Sequence, residues 1–347
     1  LDLVIGNYGY WGAGGNFDGK LSYYKNTGSL AVPEYELMTR DYQSVGTLGL
    51  NGLYPAFGDL DGDGDADMIL GDYDGKLHYF DNTAGAGNTA TFVLSQPNFN
   101  TIDVGQFATP QLVDVNRDGT LDLIIGQRGG RIEYYENTGT PSSSIFVGTA
   151  TNDFFGGIDV MLACCTGYSI PFMTSLDTSG AYYLFVAGEN GWVQLYENIE
   201  DDLNGIFALV DLNVGNRDLG MRTSLAGGDI NDDGSLELVI GNYRGGVEIF
   251  TLDASTVTKV ENPKSVSSLL NVYPNPSSGK FMLETNLKSI LISTYEVVDM
   301  LGRAVGTNST LKSNTTVVDL SGNQQGIYYL EVLFSNGNKE VSKLVLK

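Results

Sequence analysis

The sequence is poor in the residues that most protein chemistry relies on. It has two cysteines in 347 residues, Cys164 and Cys165, and they are adjacent, so no disulfide framework can staple distant segments. Neighbouring Cα atoms stand about 3.8 Å apart, below the usual disulfide range, which favours a pair of small buried hydrophobes over a vicinal disulfide. There is one histidine, His78, which leaves no material for multi-histidine metal sites and argues against a Ser-His-Asp triad. Basic residues are scarce: 19 Lys plus Arg face 42 Asp plus Glu, a formal net charge of −23. Such a surface repels nucleic-acid phosphates and anionic lipid. No apolar run approaches the roughly 18 residues of a membrane helix. Charged residues make up only 18% of the chain, whereas glycine contributes 45 residues, about twice its ordinary share of about 7%. The chain is therefore rich in turns and poor in long helices, and its length suggests about two domains.

Charge changes sign along the chain. From residue 255 onward nine Lys or Arg face seven Asp or Glu, net +2, whereas residues 1–254 hold 10 basic and 35 acidic residues, net −25. The polar stretch 255–268 shows no sustained periodicity and contains Pro263, as a linker does. The expected organisation is a first domain over 1–254, a linker over 255–268 and a second domain over 269–347.

Internal repetition dominates the first domain. Residues 57–83 read FGDLDGDGDADMILGDYDGKLHYFDNT, 111–138 read QLVDVNRDGTLDLIIGQRGGRIEYYENT, and 226–250 read AGGDINDDGSLELVIGNYRGGVEIF. Asp59, Asp114, Ser175 and Asp229 occupy one repeat position at spacings of 55, 61 and 54 residues. Five units are visible. The opening Asp2-Leu3-Val4-Ile5-Gly6 matches the second half of a repeat, so the first unit is expected to be truncated at its N-terminal side. Short apolar β-branched runs and alternating segments such as Arg131-Ile132-Glu133-Tyr134-Tyr135 predict strands joined by Gly-rich turns. An almost purely β repeat of this length predicts an all-β fold, a β-propeller of four-stranded blades that pack against one another. His78 aligns with Ser22, Glu133, Gln194 and Glu248, which predicts the solvent face of an alternating strand.

Between the first two strands of a unit lies an acidic loop. Asp59, Asp61, Asp63 and Asp67 fall at loop positions 1, 3, 5 and 9, with Gly64 at position 6. The same pattern gives Asp114, Asn116, Asp118 and Asp122 with Gly119, and Asp229, Asn231, Asp233 and Glu237 with Gly234. Alternate oxygen donors on a tight turn suit a hard cation such as Ca²⁺, with Asp65, Thr120 and Ser235 at position 7 offering backbone carbonyls. Several carboxylates at this spacing repel one another unless a cation neutralises them, and an oxygen-only set disfavours zinc and copper. About three structural Ca²⁺ ions are expected. An EF-hand is excluded, because position 12 is Leu70, Ile125 or Ile240 instead of Glu. In the fourth unit only Asp177 and Gly180 survive, and no strong site is expected there.

This D-x-[DN]-x-D-G-x-x-[DE] loop, followed by an apolar strand and Gly, resembles the FG-GAP or VCBS repeat, similar to the integrin alpha-chain propeller. The resemblance implies a Ca²⁺ site at each intact loop.

The turn after the second strand varies: Asp72-Tyr73-Asp74, Gln127-Arg128-Gly129, Asn242-Tyr243-Arg244 and, in the first unit, a longer segment with Tyr8, Tyr10, Trp11 and Phe17. Aromatic and Arg side chains on neighbouring turns make Tyr8, Tyr10, Trp11, Tyr73, Arg128, Tyr243 and Arg244 candidates for a face that recognises glycan or protein.

Residues 269–347 carry a turn cluster and short alternating strands, as expected of a small Ig-like β-sandwich. YPNPSSG at 273–279, VDMLGRAV at 298–305, VDLSGNQQGIYYLEV at 318–332 and KLVLK at the C-terminus resemble the type A C-terminal sorting domain of the Bacteroidetes type IX secretion system. That resemblance implies recognition by the secretion machinery and a place outside the cell or on the outer-membrane surface. The reading is a calcium-stabilised, exported binding or adhesion module without catalytic residues; the alternative is an extracellular polysaccharide-degrading lyase or glycosidase, or its accessory part.

Overall fold

The structure, a computed structural model, describes residues 1–11, 17–161, 166–176, 180–216, 219–243, 245–252, 270–285, 290–299, 302–308, 311–335 and 339–347. Cys164, Cys165, Asp177, Arg244 and the linker 255–268 lie outside the described residues. The described residues fall into two compact units, one within residues 1–252 and one over residues 270–347.

The chain is all-β, built from small antiparallel sheets. In the first unit, β1 (Leu3–Gly6) pairs with β4 (Leu21–Asn26) and β4 with β5 (Tyr35–Thr39), while β2 (Tyr10–Trp11) and β3 (Phe17–Asp18) form a hairpin between β1 and β4. The second sheet is β6 (Tyr54–Gly58), β7 (Asp67–Gly71), β8 (Leu77–Asn82) and β9 (Phe92–Gln96), in that order. The third is β10 (Thr109–Val113), β11 (Asp122–Gly126) and β12 (Ile132–Tyr135). The fourth is β13 (Ile170–Ser175), β14 (Tyr182–Ala187), β15 (Val193–Glu197) and β16 (Ala208–Asp211); the fifth is β17 (Ser224–Gly228), β18 (Glu237–Gly241) and β19 (Val247–Thr251).

Four strands per unit, expected from the repeat, hold only for the second and fourth sheets among the described residues. In the third unit the fourth strand shrinks to one bridge, where Thr151 and Asn152 donate their N–H groups to Tyr134 O at 2.8 and 3.1 Å.

After its opening acid, the second strand of the second and third sheets is an unbroken apolar run because both of its faces are covered. Every residue of β7 and β11 is buried. A core fills the space between consecutive sheets. Met68 and Leu70 of the second sheet pack with Leu21 and Leu53, Ile69 and Leu77 with Leu123 and Ile125, and Ile124 and Tyr134 with Leu184 and Val186. No sheet buries both faces alone, so stability is shared between neighbours. The fifth sheet also reaches the first, since a Cβ on Gly228 would stand 3.4 Å from Leu1 Cδ1.

Close approach of the sheets explains one repeated glycine. Gly6, Gly71 and Gly126 end the second strands, and a Cβ there would lie 1.9 Å from Leu53 O, 2.1 Å from Ala108 O and 2.1 Å from Ser169 O. These obstacles are backbone atoms of the next unit, which cannot swing aside.

In the second unit, β20 (Leu270–Tyr273), β21 (Lys280–Thr285) and β24 (Thr315–Asp319) form one sheet, and β23 (Ala304–Asn308), β22 (Ile292–Asp299), β25 (Gly326–Phe334) and β26 (Lys339–Leu346) the other. Both contribute to one core, with Phe281, Leu283 and Val318 meeting Val297, Leu330 and Leu344. The 273–279 turn cluster is fastened to the last strand. Asn275 Nδ2 donates to Lys343 O at 2.6 Å, Val345 N donates to Asn275 Oδ1 at 2.9 Å, and Ser277 N donates to Val345 O at 2.9 Å.

Gly71→Ala is expected to cost about 1 to 3 kcal/mol through overpacking, lowering the first unit's melting temperature by several degrees. Gly322→Ala, where the added Cβ meets nothing within 4 Å, should leave the second unit's melting temperature unchanged in the same thermal unfolding experiment.

Candidate functional site

The acidic loops connect the first and second strands of their sheets, and all three are wound alike. Asp59 Oδ1 and Oδ2 accept N–H bonds from Gly62 (2.6 Å) and Gly64 (3.0 Å). Asp114 accepts from Asp118 and Gly119, both at 3.0 Å, and Asp229 from Asp233 (3.1 Å) and Gly234 (2.9 Å). Position 6 has left-handed φ at Gly64 (90°), Gly119 (90°) and Gly234 (82°), which accounts for the glycine. Position 4 is left-handed too, at Gly62 (78°), Arg117 (63°) and Asp232 (57°), a requirement that the residue types alone did not disclose.

Position 9 does a different job from the other acids. Asp67 and Asp122 are 1% and 0% exposed. Asp67 accepts N–H bonds from Leu60 (3.0 Å) and Asn82 (2.9 Å), and Asp122 from Val115 (3.0 Å) and Asn137 (2.8 Å). One carboxylate thus ties the loop to the end of the third strand. Tyr134 Oη adds a bond to Asp122 Oδ2 at 3.3 Å. Asp2 repeats the arrangement in the first unit, accepting from Tyr23 Oη (2.6 Å) and Asn26 N (2.9 Å). Glu237 accepts from Ile230 N at 3.1 Å, but its Oε1 is buried without a hydrogen-bond partner.

In the first intact loop, carboxylate oxygens of Asp59, Asp61 and Asp67 come within 4.8 Å of one another. Asp63 Oδ1 accepts Asp65 N at 3.0 Å, and Asp65 Oδ2 accepts Gly85 N at 2.7 Å while its Oδ1 is buried and unpartnered. In the other two loops Asn116 and Asn231 place an amide at position 3, each donating to the position-5 acid at 3.0 Å. The donor set, carboxylate and amide oxygens only, fits a hard divalent cation. Burial pushes Asp67 and Asp65 above the usual carboxylate range, and Asp122 up to about 6. Hydrogen bonds from Thr120 and Ser235 hold Asp118 and Asp233 below it.

His78 is not on a solvent face. It is 8% exposed, and its Nε2 lies 2.9 Å from Oδ2 of Asp72, itself 4% exposed. Alternation correctly assigned the strand but not which face was covered, because the neighbouring turn supplies the carboxylate that makes the ring's burial affordable.

At the opposite ends of these sheets, the turn candidates occupy one repeat position: Tyr8, Tyr73, Arg128 and Tyr243, with Glu189 completing the series in the fourth unit. The Tyr8 ring lies 5.1 Å from Phe17 and 5.8 Å from Tyr73, and Tyr73 lies 4.7 Å from Phe107. Arg128 binds the Gln106 side chain. Tyr10 is half exposed on the β2–β3 hairpin, paired with Asp18. Trp11 sits in β2, and Arg244 is outside the described residues. Residue-type reasoning missed Phe107, Tyr168, Glu189 and Arg222; the 55, 61 and 54 spacing, which they share with the acidic loops, was the available signal.

Asp122→Asn leaves one of two backbone N–H groups without its acceptor and should cost about 1 to 3 kcal/mol. The raised Asp122 pKa adds a pH signature in chelator. The unfolded chain releases this proton near pH 4 and the folded chain near pH 6, so the site's contribution is full below about 4 and is lost as pH rises to about 6. The stability gap between parent and variant should therefore narrow over that window in urea titrations.

An FG-GAP-like repeat family matches residues 59–125, and a secretion system C-terminal sorting domain family matches residues 271–347. The chain matches no curated protein. Among solved structures, a GH62 hydrolase in complex with xylotriose aligns over 93% of this chain and 95% of its own, at 12% identity and a TM-score of 0.38. The extracellular domain of a hybrid two-component system from B. thetaiotaomicron aligns over 97% of this chain and 49% of its own, at 14% identity and a TM-score of 0.27. Likenesses this loose carry no argument about chemistry. Among the described residues no helix is long and apolar enough to cross a membrane. The chain thus carries an FG-GAP-like repeat and, over its last 77 residues, the sorting domain that directs Bacteroidetes proteins to secretion or to the outer-membrane surface.

Proposed function

We propose that this exported protein is a binding or adhesion module: a β-propeller, stabilised by about three Ca²⁺ ions, that displays its turns to a glycan or protein ligand. The observation that carries the metal reading is the first loop, where three carboxylates converge within 4.8 Å and a fourth acid, Asp65, keeps a buried oxygen without a partner. The ions would be held by Asp59, Asp61, Asp63 and Asp67, by Asp114, Asn116, Asp118 and Asp122, and by Asp229, Asn231, Asp233 and Glu237, with position 7 (Asp65, Thr120, Ser235) closing each loop. Their role is structural: a cation that binds only the folded loops stabilises the chain by mass action. Residues 269–347 engage the type IX secretion machinery.

Binding is favoured over catalysis by what the acids are already doing. A glycosidase needs two carboxyl groups free to face one scissile bond. Here the loop acids are committed to backbone N–H groups, and His78 is paired with Asp72.

EDTA is expected to lower the melting temperature of the first unit, and Ca²⁺ but not Mg²⁺ to restore it. At a hundredfold excess over Kd each site contributes about 2.7 kcal/mol, enough for a shift of several degrees. Asp61→Asn should reduce the calcium response without abolishing it. An unchanged melting temperature in EDTA would remove calcium from the reading and return the acids to consideration as catalytic groups.

A further inference from the structure

Two repeat positions interleave at the end of the sheets opposite the acidic loops. One is the turn position Tyr8, Tyr73, Arg128, Glu189 and Tyr243. The other stands two residues before each first strand: Gly52, Phe107, Tyr168 and Arg222. Backbone bonds join them in pairs. Gly52 N donates to Tyr8 O (3.0 Å), Phe107 N to Tyr73 O (2.9 Å), Tyr168 N to Arg128 O (3.2 Å) and Arg222 N to Glu189 O (3.2 Å).

All four residues of the second series have left-handed φ: 60° at Gly52, 59° at Phe107, 46° at Tyr168 and 53° at Arg222. Glycine suits this conformation; bulky residues are strained there by about 1 kcal/mol or more each. Three large side chains are thus held where glycine would be easier; Phe107 and Tyr168, 3% and 6% exposed, form the buried floor of a cluster whose rim is Tyr8, Tyr243 and Arg222. Phe107 lies 4.7 Å from both Tyr73 and Tyr168 and stacks on Tyr8 at 6.1 Å with a 23° interplanar angle. The Arg222 guanidinium sits 4.3 Å from the Tyr168 ring centre and 5.1 Å from that of Tyr243. Its Nε is 3.4 Å from Oε2 of Glu189, an oxygen that has no hydrogen-bond partner on a residue only 6% exposed. Tyr8 and Tyr243 are 39% and 68% exposed, so the cluster opens to solvent.

We infer that this cluster is a binding platform for a neutral glycan, an inference that rests on the binding-module reading above. The exposed Tyr8 and Tyr243 rings can accept the C–H face of a pyranose, and the partly exposed Arg222 guanidinium beside them supplies donors to its hydroxyls, held in place by the buried Glu189. The Arg222 charge is compensated by Glu189, and residues 1–254 carry a net −25, so an acidic polysaccharide is repelled where a neutral one is not.

The test is affinity electrophoresis of the full chain in gels containing soluble xylan, glucomannan or mixed-linkage β-glucan, against gels containing polygalacturonate or alginate. At least one neutral polymer should retard the parent, and Tyr243→Ala and Arg222→Gly should each weaken that binding at least tenfold. Tyr243→Ala, a change at an exposed ring, should do so at an unchanged melting temperature. Retardation by acidic polymers alone, or full binding by both variants, overturns the neutral-glycan platform and leaves the binding-module reading standing. If no polymer of either kind retards the parent, the glycan half of that reading falls as well.

Discussion

A buried carboxylate at the head of the second strand, present in the second, third and fifth sheets as Asp67, Asp122 and Glu237, is the contact on which the first unit depends. Asp67 and Asp122 are almost fully removed from water, and each joins two backbone segments that would otherwise end in unsatisfied N–H groups. The strap is reciprocated, since Asn82 Nδ2 donates to Ala66 O and Asn137 Nδ2 to Leu121 O, both at 3.1 Å. Acid, tyrosine and asparagine therefore form one device that closes the first three strands around a loop. In the fifth unit the device is incomplete. Leu252 stands where Asn137 stands in the third, its N–H donates to Leu236 O, and Glu237 keeps a free buried oxygen.

That strap concentrates charge. Unit charges about 5 Å apart at an effective dielectric of about 20 repel by roughly 3 kcal/mol, comparable to what a charge-assisted hydrogen bond contributes. The N–H groups of Gly62, Gly64 and Asp63 offset part of this, but they are dipoles and not counter-charges. No Lys or Arg stands within loop positions 1 to 9 except Arg117, and its guanidinium turns to Glu200 at 2.9 Å. A hard cation would supply the missing positive charge, so the proposed metal sites rest on the loop's own electrostatics as well as on its pattern.

Much of this was legible because the repeat states it several times. The apolar runs at 68–70 and 123–125 gave the central strands, the alternate acids gave the loops, and the VDLSGNQQGIYYLEV and KLVLK strings gave the sorting domain, all from local residue identity. What escaped was set by contacts between units. The glycine ending β7 reads as a turn residue until Ala108 O is seen against it. The third unit's lost fourth strand depends on where the chain happens to return to Tyr134. His78 looked exposed because a strand's alternation fixes that two faces exist and says nothing about what covers either. The left-handed Phe107, Tyr168 and Arg222 escaped for a related reason: nothing in their chemistry announces positive φ, whereas the glycine at Gly52 conceals that a shared backbone position exists at all.

The two features proposed as functional are placed so that neither can speak directly to the other. The acidic loops join first to second strands, whereas the aromatic cluster lies where second strands turn and first strands begin, at the other end of the same sheets. A five-residue strand spans about 17 Å, about twice the Debye length of about 8 Å at physiological ionic strength. A cation in a loop can therefore influence the far end only by keeping the sheet folded, not through its field. The fourth unit makes the separation plain. It carries Ser175 where the others carry the first acid of the loop, yet it supplies Tyr168 and Glu189 to the cluster. Within this one repeat, then, the loop end lacks the first acid of the others while the turn end carries a buried acid, as rigid strands that decouple the two ends allow.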